Sequence, residues 1–209
     1  LLQAFIKMSK EIGAKRSVWR YDPIIIDERH SVCWHLKQFS AICGRLQGYT
    51  ERCVISFVDP YKSLFNKYRA LSSNEMIMVA SGISEIANSH GITLYTCAEE
   101  VDLTQFGIRH GACIDKQLIE EIIGQRIAAK IDANQRASCC CIESVDIGAY
   151  DTCSHGCTYC YATSSMNTVI RRMAAHDPSA PMLTGYPKGN EIITNRTTSS
   201  QIINQLSLF

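Results

Sequence analysis

The chain has 209 residues, 46% hydrophobic and 20% charged, with a formal charge of +1. That is enough apolar chain to bury a core without disulfides. The near-neutral balance gives no electrostatic case for a polyanion or an anionic membrane surface, and no apolar run approaches the ~20 residues of a bilayer span.

Residues 1–12 open as Leu-Leu-Gln-Ala-Phe-Ile-Lys-Met, a helical pattern that Gly13 stops. A start of this kind, without an initiating Met, is expected of the later part of a longer protein. Residues 17–26 predict a strand that runs into a loop at Asp22-Pro23. Residues 31–47 place Val32, Leu36, Phe39, Ile42, Cys43 and Leu46 at helical spacing, with Gly48 as the stop. Residues 52–58 predict a second strand, followed by Asp59-Pro60. A long helix is expected over 73–90, begun by Ser72 or Ser73 and ended by Gly91. Residues 92–97 predict a third strand.

Strand then helix, three times over, argues for parallel β/α units. Three strands are too few to close a full barrel, so a partial barrel is expected. After residue 98 the pattern changes. A short helix is predicted over 115–129, then a loop rich in Cys, Gly, Asp and Ser over 132–158, then a helix over 165–175. The tail from 176 carries Pro178, Pro181, Gly185, Pro187 and Gly189 and reads as irregular. The expected division is a β/α domain over 1–131 and a cysteine-rich segment with its tail over 132–209.

Chemistry in parallel β/α architectures sits at the carboxyl ends of strands. That rule singles out Arg20 and Asp22 on the first strand, Asp59 after the second and Glu99 after the third. Asp22-Pro23 and Asp59-Pro60 read equally as turn chemistry. Arg20 among apolar neighbours requires a partner, for which Glu99 is a candidate. Arg20, Asp59 and Glu99 are the candidates for catalytic or substrate contacts.

Eleven cysteines are many for this length, and the count is odd. With no export signal visible, thiolates bound to metal in a reducing cytoplasm are expected in preference to disulfides. Cys153, Cys157 and Cys160 stand in a Cys-Ser-His-Gly-Cys-Thr-Tyr-Cys run. This spacing suits a 4Fe–4S cubane held at three corners, with Gly156 bending the backbone between the first two ligands. A zinc knuckle completed by His155 or a distant cysteine is the competing reading. Cys139 and Cys141 point the same way if extended, and with Cys97 and Cys113 they predict a four-thiolate site for a second cluster or a structural zinc. Buried free thiols are the plainer alternative for this group. Cys33, Cys43 and Cys53 are expected in the core.

The fold class expected from all this is α/β, a partial (β/α) barrel with parallel strands plus an irregular C-terminal iron–sulfur segment. The run from Asp146 to Ala162 resembles a domain-of-unknown-function family defined by a C-terminal cysteine cluster similar to that of radical SAM enzymes. The segments Val18–Ile24, Cys53–Asp59 and Thr96–Glu99 look like the strands of the same family. The resemblance implies a 4Fe–4S cluster on Cys153, Cys157 and Cys160, with S-adenosylmethionine on the open iron and its reductive cleavage starting radical chemistry. It places Tyr159 beside the adenine. The chain has no Gly-Gly-Glu run to hold the methionyl amine, and Glu99 is the candidate substitute. It further implies a reductant such as flavodoxin or ferredoxin. The strand segments are distantly similar to spore photoproduct lyase, which admits nucleic acid as a substrate class. Two other functions compete: a non-catalytic iron–sulfur protein for electron transfer or sensing, and a zinc-stabilised binding module.

Overall fold

Alternating periods of apolar residues, two in the strands and about three and a half in the helices, build the first part of the chain. The computed structural model describes residues 1–59, 67–197 and 199–203. In chain order its main elements are α1 (Leu2–Ile12), β1 (Trp19–Ile24), α2 (Val32–Leu46), β2 (Arg52–Phe57), α3 (Ser73–Ser89), β3 (Thr93–Cys97), β4 (Arg109–Gly111), α4 (Lys116–Ile123) and α5 (Met166–Ala174). The described residues fall into two units: 1–59, 67–144 and 201–203 in the first, 145–197 and 199–200 in the second.

The first unit is an α/β structure on a four-stranded parallel sheet in the order β1-β2-β3-β4, counted among the described residues. The fourth strand was not expected. The predicted helix over 115–129 is shorter than expected, because Gly124 turns left-handed (φ 68°) and ends α4. β1 also departs from expectation, since it continues through Asp22-Pro23 instead of stopping there. It lies at the edge of the sheet, where a proline costs no ladder bond on the open side. Pro60 lies outside the described residues.

Strand register sorts the side chains onto two faces. Trp19 pairs with Cys53 and Cys53 with Leu94; Tyr21 pairs with Ile55 and Ile55 with Thr96. This face packs on α2 and α3 through Phe39, Leu46, Val79 and Ile83, all with no solvent exposure. Phe39 stacks on Trp19 at 4.7 Å between centroids and meets Tyr21 edge-on at 5.1 Å. His35 on α2 ties the layers together: its Nε2–H donates to the Ile25 carbonyl at 2.8 Å, leaving Nδ1 to accept from the Tyr21 hydroxyl at 2.8 Å. Of the three cysteines expected in the core, Cys43 and Cys53 are there. Cys33 is exposed, because it falls on the outward side of the first turn of α2.

The opposite face carries polar chemistry. Arg20, Val54, Tyr95 and Arg109 lie in register across all four strands, with Cys97 opposite Gly111 one step further on. Arg52 lies over the Tyr95 ring at 4.0 Å and pairs with Asp115, which also caps α4 by accepting from the Leu118 N–H. That arrangement anchors α4 to the sheet. Helix α3 begins with a reciprocal cap between Ser72 and Glu75, with Ser72 as the capping residue. A smaller apolar cluster of Ile127, Ala129 and Ile142 completes the first unit. No helix among the described residues is long and apolar enough to cross a membrane.

Candidate functional site

Two groups of residues are candidates, one in each unit. The first sits where the strands of the sheet end. Arg20 does not pair with Glu99 as expected. Its guanidinium holds Asp22, two residues along the same face, through Nε at 3.0 Å and through Nη2. Its Nη1 donates to Cys113 Sγ at 3.0 Å. Cys113 Sγ is in turn 3.1 Å from Cys97 Sγ. The hydrogen bond with Cys113 is the main cause that brings the Cys97 thiol down to about 6. Burial opposes it and the Arg20 charge assists. Cys113 keeps its own proton more tightly, first through that same hydrogen bond. The two thiols therefore behave as one acid with an early first proton.

Glu99 faces elsewhere. Its Oε1 accepts from the Phe57 N–H at 2.8 Å, so a side chain from the end of β3 closes the end of β2. Burial pushes the Glu99 carboxyl up to about 7, and the charge of Asp59 adds to the rise. Asp59 pairs with Arg136, and Ser138 donates to the Ala98 carbonyl at 3.1 Å. These contacts lay the segment carrying Cys139, Cys140 and Cys141 against the strand ends. Cys141 is buried, and its sulfur accepts from the Ile114 N–H at 3.4 Å, next to Cys113. Arg20, Asp59, Glu99, Cys97, Cys113, Cys139 and Cys141 thus gather at one edge of one unit.

A glutamic acid held neutral by burial stabilises the fold below its ordinary value of 4.5, and that contribution is lost as pH rises through about 7. Glu99→Gln keeps an acceptor for Phe57 without the charge. It is expected to raise the melting temperature at pH 8 and to converge with the parent at about pH 4 and below. One pKa unit corresponds to about 1.4 kcal/mol. Allowing for partial exposure, the gain at pH 8 is about 1–2 kcal/mol, or roughly 3–6 °C in a chain of this size. Thermal scans across that range check it, and a difference independent of pH would assign the effect to packing.

The second group lies in the other unit, on the loop before α5. Cys153 and Cys157 are exposed, Cys160 is half-buried, and none is in a disulfide. Gly156 is left-handed (φ 62°) between the first two, and the Cys160 N–H closes a turn onto the Cys157 carbonyl at 3.0 Å. His155 Nδ1 is 3.3 Å from Cys153 Sγ. The Cys160 thiol lies 3.5 Å from the Thr163 hydroxyl, which holds its pKa below the usual thiol range. Tyr159, next to Cys160, is 37% exposed.

One residue that the sequence reading passed over makes the neck of this loop. Asp151, also left-handed (φ 56°), donates its N–H to the Ala162 carbonyl at 2.9 Å. Its carboxylate accepts from the Ser164 N–H at 2.5 Å, the Ser164 hydroxyl at 2.8 Å and the Ser165 N–H at 3.3 Å. These bonds pull the Asp151 carboxyl below its ordinary range, the Ser164 N–H first. The three cysteines hang from that clasp, and α5 follows it directly with Val169 fully buried.

The donor set suits soft metal chemistry: three unpaired thiols on one short, closed loop, with a carboxylate already spent on the neck. Among the described residues, no three His, Cys, Asp or Glu side chains converge as a single ion requires. A cubane distributes its thiolates over separate irons, so that convergence is a requirement of mononuclear sites.

A family model described as Domain of unknown function (DUF1848) matches residues 1–162. No curated protein and no solved structure matches the chain.

Proposed function

The chain belongs to the DUF1848 family, and we propose that it is a radical SAM-like iron–sulfur enzyme. In this reading it cleaves S-adenosylmethionine reductively to start radical chemistry on a substrate yet to be identified. The observation that carries the reading is the clasped loop with three free thiols and a left-handed glycine between the first two. Cys153, Cys157 and Cys160 would hold a 4Fe–4S cluster. When bound, such a cluster supplies the electron for cleavage at its open iron. Tyr159 is the candidate for contact with the adenine. Arg20 and Asp59 are the candidates for substrate contacts. Four adjacent parallel strands in chain order are what a segment of a (β/α) barrel would have, and this supports the partial-barrel reading. A flavodoxin- or ferredoxin-type donor would supply the electron.

The protein's part in such chemistry is to bind, orient and exclude water. The Asp151 clasp would fix the spacing of the thiolates before the cluster arrives.

The test is anaerobic reconstitution of the protein with iron and sulfide, followed by electron paramagnetic resonance with and without S-adenosylmethionine. The expected result is a cluster signal that changes on adding S-adenosylmethionine, with 5′-deoxyadenosine released after reduction. Cys157→Ala is expected to abolish both. A cluster signal indifferent to S-adenosylmethionine, with no 5′-deoxyadenosine, would make the protein an electron carrier or sensor. Zinc without iron or sulfide would make it a zinc-stabilised module.

A further inference from the structure

We propose that Cys97 and Cys113 are a redox-active dithiol that closes reversibly to a disulfide at the carboxyl edge of the sheet. The inference goes beyond the cluster reading and does not depend on it, since it concerns different cysteines in the other unit.

Four observations carry it. The two sulfurs are already in contact at 3.1 Å. Cys97 ends β3 opposite Gly111, the last residue of β4, and Cys113 follows two residues later, where Ile114 is tied down by its N–H to Cys141 Sγ and its carbonyl to the Ile142 N–H. That frame is tight, because a Cβ at Gly111 would lie 2.8 Å from Tyr95 Cβ and 2.9 Å from the Thr96 carbonyl. Cys113 is exposed and Cys97 is partly so, which gives a small disulfide access. Arg20, held by Asp22, donates from Nη1 to Cys113 Sγ at 3.0 Å and so fixes where that sulfur sits beside Cys97. Cys43 and Cys53 make the contrast: both are fully buried, and burial raises both thiols, so neither is poised to react.

The oxidant is a low-molecular-weight disulfide of the glutathione type. The Cys97 thiolate attacks one of its sulfurs, the bond between the two sulfurs breaks, and one thiolate leaves. Cys113 then gives up its proton to that thiolate and attacks Cys97 Sγ, expelling the second thiolate. The sum is two protein thiols plus one small disulfide giving one protein disulfide plus two small thiols. Excess small thiol runs the sequence backwards.

Trypsin makes the test direct. Cleavage after Arg69, Arg109 and Lys116 puts Cys97 in the fragment 70–109 and Cys113 in 110–116, each without another cysteine. The native, reduced protein is treated with glutathione disulfide, quenched with an alkylating agent, digested and mapped by mass spectrometry. The expected product is the linked pair of those two fragments, lost again on reduction. It should form at least about tenfold faster than in urea-unfolded protein, because the fold supplies the proximity. Cys113→Ser should trap glutathione on Cys97. Cys140→Ser should change nothing, and Cys157→Ala should link normally whether or not the cluster reading survives. The proposal is overturned if both fragments are recovered alkylated and unlinked. It is equally overturned if the link forms no faster folded than unfolded, or if both thiols resist alkylation until a chelator removes zinc or iron.

Discussion

Asp151→Ala is expected to release the cysteine loop while leaving the parallel sheet folded. The carboxylate accepts from two backbone N–H groups and a hydroxyl across the neck, and its own N–H crosses back to Ala162. Alanine removes every acceptor at once. It also sits poorly at φ 56°, where Asp and Asn are tolerated better than other side chains. Two readouts follow. Amide hydrogen exchange at the Cys157–Cys160 turn should accelerate, since that turn has lost its closed base. Metal affinity in the reconstituted protein should fall roughly 10–100-fold, the usual cost of removing a group that orients ligands without touching the metal. Asp151→Asn separates the causes: it keeps the backbone conformation but loses charge, so its exchange rates should lie between parent and alanine. The carboxyl is held below its ordinary range, so the clasp is complete above the unfolded-state value and loosens only as pH falls through the lower folded one. Unchanged exchange in the alanine protein would show that the neck closes without the carboxylate.

Phe39→Ala is expected to cost about 3–5 kcal/mol, the range for deleting a fully enclosed aromatic ring. Phe39 has no exposed surface and contacts Trp19 and Tyr21 of β1. Those rings stand on a strand and cannot sink far into the space it leaves. The measurement is the denaturant midpoint, with the slope unchanged if only stability moves. Phe39→Leu retains most of the buried volume and should cost about 1.5 kcal/mol or less. A loss for alanine under about 1 kcal/mol would mean that α2 closes the gap by shifting toward the sheet.

The elements legible in the sequence are those whose periodicity was long enough to declare itself. Helices α2 and α3 and strand β2 lie close to where their apolar spacing puts them, with Ser31 and Ser72 as caps. β4 was invisible because it is three residues long and reads Arg-His-Gly, with no apolar alternation to notice. Asp22-Pro23 has the chemistry of a turn, yet β1 runs through it because the strand lies on the sheet edge. Arg20 among apolar neighbours requires a partner and has one. The partner turned out to be Asp22, because residues two apart on a strand share a face, and that rule was available from the start. The grouping of Cys97 and Cys113 follows from strand adjacency, which local spacing hints at but does not fix. Asp151 had no signal, since its bonds to Ser164 and Ser165 span a loop whose closure spacing alone does not announce.

The sheet keeps its two kinds of work on opposite sides. Cys53, Ile55 and Phe57 are committed to holding the layers together, while the residues that alternate with them, Arg52, Val54 and Ser56, look the other way. Inheritance can therefore act on alternate letters of one strand under different rules. A lineage could recast the polar side, one exchange at a time, while the letters that keep the protein folded stay as they are.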